Sequence, residues 1–250
     1  MNKKYNDDQI FRLHSKGLTD AEIAKEVGCT SNQMANKRKD LGLKPNKPSE
    51  TYCLNKEELE VLIGTLLGDS CIRYVHKGCK YPSFTCSHTE AQEEWFMWKY
   101  NKLKSIISSY NKYNLKSNGV FLDHCKIQAI GKNMKCLKLI YELFYNNKVK
   151  HIPIEYITNN FTKISLYCMY MDDGSYDIST NSYVINTQCF SFAELQEFTK
   201  FLEDKFNLFF NIKKDHVLYL RHKSNEIFKQ ILLNLNECDT MSYKLGASYR

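Results

Sequence analysis

Residues 58 to 69 read ELEVLIGTLLGD, an almost unbroken apolar run that closes on an acid, and residues 163 to 173, KISLYCMYMDD, repeat the pattern. Both predict buried helices. The segments after the two runs are also alike. An alternating stretch comes first, CIRYVHKGCKYPSFTC (71–86) and SYDISTNSYVINTQCF (175–190). An amphipathic helix comes next, TEAQEEWFMWKYNKL with a Thr89–Gln92 capping box and SFAELQEFTKFLEDKF with a Ser191–Glu194 box. Hairpin-like segments GVFLDHCKIQAI and LFFNIKKDHVLYLR then lead to the helices NMKCLKLIYELFY and SNEIFKQILLNL. The order helix, two strands, helix, two strands, helix thus occurs twice. It predicts an α+β chain of two pseudo-symmetric αββαββα halves, residues 49–147 and 148–250, whose antiparallel sheets face one partner.

The first 48 residues follow another rhythm. DDQIFRLHSKG places Ile10 and Leu13 on one helical face. TDAEIAKEVG adds a Thr19–Glu22 capping box before Ile23, Ala24 and Val27, and TSNQMANKRKDLG makes a third helix. Ala24 followed by Gly28 and then a basic, polar helix resembles the helix-turn-helix. A small all-α DNA-binding module is therefore expected at 1–48, presenting Asn32, Gln33, Asn36, Lys37 and Arg38 to a major groove. LKPNKPSE (43–50), with two prolines, reads as the linker.

Composition narrows the class. A 250-residue chain with 43% hydrophobic and 25% charged residues can bury a core, and no apolar run approaches the ~20 residues of a membrane span. The N-terminal MNKKYNDDQI lacks the apolar segment of a secretion signal, so an intracellular protein is expected, in cytoplasm or organelle matrix, without a membrane partner. The net charge of +7 favours a polyanionic partner, and residues 1–48 hold ten Lys/Arg against six acids. Ten cysteines with no Cys-x-x-Cys pair read as free thiols. His76, Cys79, Cys86 and His88 have a faintly zinc-like spacing that matches no standard finger, so zinc is not the expected metal.

The two acid-ended helices carry the chemistry. Gly64 and Gly68 each weaken a helix by roughly 1 kcal/mol relative to alanine, and an acid at a helix C-terminus opposes the backbone dipole. Both costs make sense if the glycines let the two helices touch, with positions 64 and 68 facing 168 and its neighbours. Asp69 and Asp173 would then emerge together beside two negative helix ends. That is a poor arrangement for protein alone and a good one for a hard divalent cation, above all Mg²⁺, with Mn²⁺ as a substitute.

LIGTLLGDS (62–70) and LYCMYMDDG (166–174) align without gaps to the nine-residue signature of the LAGLIDADG homing endonucleases, and the chain resembles the single-chain, two-motif branch over residues 50–250. NNKVKHIP before the second motif, VINTQCFSF after it and MSYKL near the C-terminus reinforce the resemblance. It implies Asp69 and Asp173 as metal-binding catalytic acids, Lys150 and Lys244 as lysines near the active sites, and Gln188 as a polar residue that orders water. The first-half counterpart of Gln188 stays open between Ser87 and Thr85. Asp172 departs from the small residue that the signature carries at its seventh position.

Such a protein acts as a monomer on double-stranded DNA, making a staggered double-strand break by metal-dependent hydrolysis. Its sheets would line the groove with Arg73, His76, Lys77, Lys80, Ser175, Tyr176, Asn181, Lys213, Lys214 and Arg221. The alternatives are an intron maturase that binds intron RNA on the same scaffold, and a transcription regulator with an inactive nuclease fold. Trp95, Phe96 and Trp98 are expected in the core rather than stacked on bases.

Overall fold

A computed structural model describes residues 6–115 and 124–246. The chain divides into two compact units, one formed by residues up to Cys53 with Met134–Cys136, the other by Leu54–Asn133 with Leu137 onward.

In the first unit α1 (Asp7–Ser15), α2 (Asp20–Val27) and α3 (Ser31–Asp40) pack around Ile10, Leu13, Ile23, Ala24 and Met34, and α4 (Pro48–Thr51) comes after them. The Thr19–Glu22 box forms as the sequence predicts, and Gly28 ends α2 with φ +73°, a left-handed turn that needs no Cβ. A second box, Thr30 with Gln33, starts α3.

The second unit opens with α5 (Lys56–Leu67), β1 (Cys71–Arg73), β2 (Ser83–Thr85), β3 (Ser87–Thr89), α6 (Glu93–Lys102), β4 (Ile107–Leu115), β5 (His124–Gly131) and α7 (Cys136–Phe144). A small hairpin, β6 (Tyr145–Asn146) and β7 (Val149–Lys150), leads to α8 (Ile154–Asn160). The second half continues with α9 (Lys163–Asp173), β8 (Gly174–Asp177), β9 (Ser182–Ile185), α10 (Phe192–Phe206), β10 (Phe210–Ile212), β11 (Leu218–Leu220) and α11 (Asn225–Leu235). A 3₁₀ turn, Asp239–Lys244, closes the unit.

Strand order shows the duplication. The second half has one antiparallel sheet, β10-β11-β9-β8. In the first half β2 and β3 are one strand interrupted at Cys86, whose carbonyl still accepts from Ala129 N–H at 2.9 Å, and β5 runs beside both. The order β4-β5-β2/β3-β1 is therefore its pseudo-equivalent. Helices cover one face of each sheet: Tyr110 packs on Phe96 and Tyr100, and Tyr183 on Tyr170 and Phe228.

Two local expectations need correction. The partner of β5 is 107–115, a strand too polar (ISSYNKYNL) to announce itself, rather than a strand within GVFLD, whose residues 119–123 lie outside those described. Thr89 does not cap with its side chain; a 3₁₀ turn at Glu90–Gln92 precedes α6, and Gln92 bonds elsewhere. The Ser191–Glu194 box forms. Among the described residues no helix is long and apolar enough to cross a membrane.

The halves meet through α5 and α9, both buried along most of their length. A Cβ on Gly64 would stand 2.2 Å from the Ser165 carbonyl oxygen, and one on Gly68 would stand 2.5 Å from Asp172 Cβ. Ser165 Oγ donates to Glu60 O at 2.8 Å, a bond that needs the same closeness. Gly64 is thus where the two backbones touch, and Gly68 makes room for the Asp172 side chain. Gly64→Ala should destabilise the protein by ~1–3 kcal/mol, a typical overpacking cost. That loss occurs although alanine favours an isolated helix by roughly 1 kcal/mol. A melting temperature equal to or above that of the wild type would contradict the contact.

Candidate active site

α9 stays helical through Asp173, whereas α5 ends at Leu67 and Asp69 stands one residue beyond the non-helical Gly68. The two carboxyls nevertheless come within hydrogen-bond reach of each other. Asp69 is open to solvent on one side; the protein around it still withdraws enough water to raise its pKa, and Asp172 adds repulsion. Asp173, half-buried, is raised to about 7 by burial and then by Asp69 and Asp172. Two carboxyls so placed do not both ionise comfortably without a cation.

Both sequence-predicted lysines reach the helix ends. Lys150 Nζ donates to Gly68 O and Ser70 O at 3.0 and 2.9 Å, bracketing Asp69. Lys244 Nζ donates to Met171 O and Asp172 O at 2.7 and 3.0 Å, just before Asp173. Lys244 places a cation on carbonyls at the negative end of α9, and Lys150 places one on the turn just beyond α5. The β6–β7 turn delivers Lys150, with Asn147 and Lys148 both at left-handed φ, as a two-residue hairpin requires. Lys244 is buried, which pushes its pKa down.

Gln188 is exposed, and its Nε2 lies 3.5 Å from Asn186 Oδ1. Asn186 itself, which sequence reasoning passed over, donates to Asp173 O from both its backbone N–H (2.9 Å) and its Nδ2 (3.0 Å). Strand register aligns Cys71–Thr85 with Ser175–Val184, so Ser87 is the counterpart of Asn186 and Thr89 that of Gln188.

Beneath the acids lies a buried cluster that only Asp172 hinted at. Asp172 Oδ1 accepts from Lys99 Nζ at 2.6 Å and Trp95 Nε1 at 2.7 Å, while Oδ2 accepts from Thr65 Oγ1 at 2.5 Å. Lys99 and Asp172 side chains are both fully buried. Burial works against each charge, but the pairing outweighs it, so the carboxyl is lowered and the ammonium raised. His88 Nδ1–H donates to Gln92 Oε1, whose amide donates on to Tyr243 OH. His88 is held neutral, its pKa lowered to about 4 by burial and then by Lys99, with Nε2 3.7 Å from Asp172. Asp69, His88 and Asp172 bring ligand atoms within 4.8 Å of one another. Lys99 already supplies a cation at Asp172, which leaves Asp69 and Asp173 as candidate metal ligands. The candidate zinc ligands do not gather among the described residues: the exposed His76 ring accepts from Gly78 N–H, whereas Cys86 is buried beside Ser70.

The uncovered sheet faces carry Arg73, Ser175, Lys213 and Arg221, all exposed, with Lys80 exposed in the β1–β2 loop. Arg221 Nε donates to Asn211 Oδ1 at 2.8 Å. Tyr176 turns to the helix side and packs on Tyr183. The same faces add residues of the polar strands, Asn111, Tyr113, Lys126 and Gln128, that the sequence did not single out. In the first unit Asn32 and Asn36 are exposed, but three neighbours are engaged. Gln33 caps α3, Lys37 pairs with Asp7 at 2.8 Å, and Arg38, 7% exposed, clamps Asp20 and Leu43 O. Arg38 is a structural residue here, not a groove-facing one.

Two sheet-bearing halves joined through acid-ended helices define the LAGLIDADG class. The chain belongs to the LAGLIDADG DNA endonuclease family, whose profile matches residues 59–229. It is 28% identical over 235 residues to a probable intron-encoded endonuclease 1 of Wickerhamomyces canadensis, covering 85% of this chain and 96% of that one. It is 30% identical over 140 residues to the intron-encoded endonuclease ai4 of Dictyostelium discoideum, covering 53% and 84%. The solved structure of the homing endonuclease I-WcaI bound to its DNA recognition sequence superposes with a TM-score of 0.68 at 25% identity, covering 84% of this chain and 97% of that one.

The acid pair yields a titration test. Asp69→Asn removes a negative neighbour, so the Asp173 pKa should fall from about 7 part of the way toward the ordinary value of ~4. Carboxyl-carbon NMR would follow it. A value unmoved by the substitution would mean that burial and Asp172 hold the proton without Asp69.

Proposed function

We propose that this protein is a site-specific homing endonuclease that cuts both strands of duplex DNA with a stagger. The observation that carries the reading is the meeting of Asp69 and Asp173 at the paired helix ends, where each carboxyl disfavours ionisation of the other. Such a carboxyl pair suits divalent cations, Mg²⁺ with Mn²⁺ as a substitute, which when bound relieve charge on the scissile phosphate and acidify water.

The remaining chemistry belongs to the chain. Lys150 and Lys244 each use two of three ammonium donors on backbone carbonyls, which fixes the ends on which the acids sit. The third donor of the less buried Lys150 would reach a phosphate oxygen. Gln188, exposed beside Asn186, would orient the attacking water in the second half. The uncovered sheet faces would follow the groove, with Arg73, Lys126, Lys213 and Arg221 as its cations. One chain supplies both acids, so a monomer suffices. The first unit would extend the contact through Asn32 and Asn36 of α3.

Asp69→Asn and Asp173→Asn should each abolish double-strand cleavage while target binding persists, measured on a site selected from random DNA by the wild type. Wild-type cutting by either variant would sink the assignment. Replacing Asn32 and Asn36 together by alanine should shorten the protected footprint and weaken binding by ~1–3 kcal/mol per lost base contact, leaving the cut positions in place. An unchanged footprint would remove the helical unit from the interface.

A further inference from the structure

Asp69 and Asp173 are equivalent in sequence but not in support. Asp173 is still part of α9, and Asn186 grips its carbonyl twice. Asp69 has left α5: Gly68, at φ −102° and ψ −138°, breaks the helix before it. A side chain on such a turn keeps its place only through the bonds of its neighbours. Lys150 holds the turn from one side, at Gly68 O and Ser70 O.

On the other side, we propose that Thr65, backed by the buried Asp172–Lys99 pair, is the positioning residue that holds Asp69 at the metal site. This rests on the reading of Asp69 and Asp173 as the metal-binding acids. Thr65 Oγ1 has one proton, and it goes to Asp172 Oδ2 at 2.5 Å. The Thr65–Ser70 contact of 2.7 Å must therefore be donated by Ser70. Lys99 Nζ donates to the same Thr65 oxygen at 3.1 Å and to Asp172 Oδ1 at 2.6 Å, locking the threonine from below. Ser70 N–H also donates to Thr65 O at 3.0 Å. Ser70, the residue after Asp69, is thus tied by side chain and backbone to one threonine, and that threonine to an ion pair shared by both halves. In the second half the position of Thr65 is taken by Met169, which offers no hydroxyl. The brace serves one acid only.

The test uses the full chain, with Mn²⁺ as probe and free Mn²⁺ read by electron paramagnetic resonance. Outer partners of metal ligands typically change affinity 10–100-fold, so Thr65→Val should weaken Mn²⁺ binding by at least ~10-fold, and Thr65→Ser should restore it. Ser70→Ala should act in the same direction; it leaves every bond to Asp172 in place and so answers the proposal if Thr65→Val does not fold. Plasmid cutting supplies a second readout. With one of two pseudo-symmetric acids loosened, nicked circle should accumulate with the same strand always left intact. Unchanged Mn²⁺ affinity in a folded variant, or equal slowing of both strands, overturns the brace. A wild type that binds no Mn²⁺, or an Asp69→Asn variant that binds as tightly, overturns the acid-pair reading first.

Discussion

The second unit depends on how closely α5 and α9 approach. With a Cβ at position 64 the two backbones would collide, and with one at position 68 the collision would be with Asp172. Their contact sets the distance between two chain segments that would otherwise be free to sit anywhere on two separate sheets. It also creates an electrostatic problem, because two negative helix ends and three aspartates converge. Three lysines answer it, each from a different element: Lys99 on α6, Lys150 on β7 and Lys244 in the C-terminal 3₁₀ turn.

This division explains what could be read in advance. Asp69 and Asp173 stand out in the sequence because an acid closing an apolar helix breaks a local rule, and the structure brings the two together. The duplication was visible because hydrophobic period and capping recur in the same order. Lys150 and Lys244 came only through resemblance to a family; no local rule marks a lysine in a hairpin as reaching a helix end. Lys99 was hidden altogether. In WKYNK it reads as a solvated helix residue, and nothing nearby says that Asp172, 73 residues away, lies beneath it.

The misreadings have physical causes as well. Strand β4 exposes Tyr110 and Tyr113 in part and pairs through Ser, Asn and Lys, so its periodicity carries little hydrophobic signal. A basic helix position usually faces solvent, but Arg38 turns inward to Asp20 at the start of α2 and to Leu43 O after α3. The spacing of Gln92 from Thr89 predicts a cap. The tertiary environment instead uses it to fix the His88 tautomer and reach Tyr243.

Asp172 shows what fusing two halves into one chain permits. Its pseudo-equivalent, at the same place in the first motif, is Gly68, and the two face each other. In a symmetric pair of identical chains, residues on the two-fold axis meet their own copies. Glycine on both sides would leave the seam without the carboxylate, and aspartate on both sides would force two buried charges together. Only a tandem chain puts a glycine opposite an aspartate, so that the small residue makes room for the large one. The carboxylate then needs a counter-charge on one side only, and Lys99 of the first half supplies it. A buried ion pair is weak evidence for added stability, since removing two charges from water offsets their attraction. Its more secure consequence is geometric: it joins α5, α6 and α9 at one point, directly under the turn that carries Asp69.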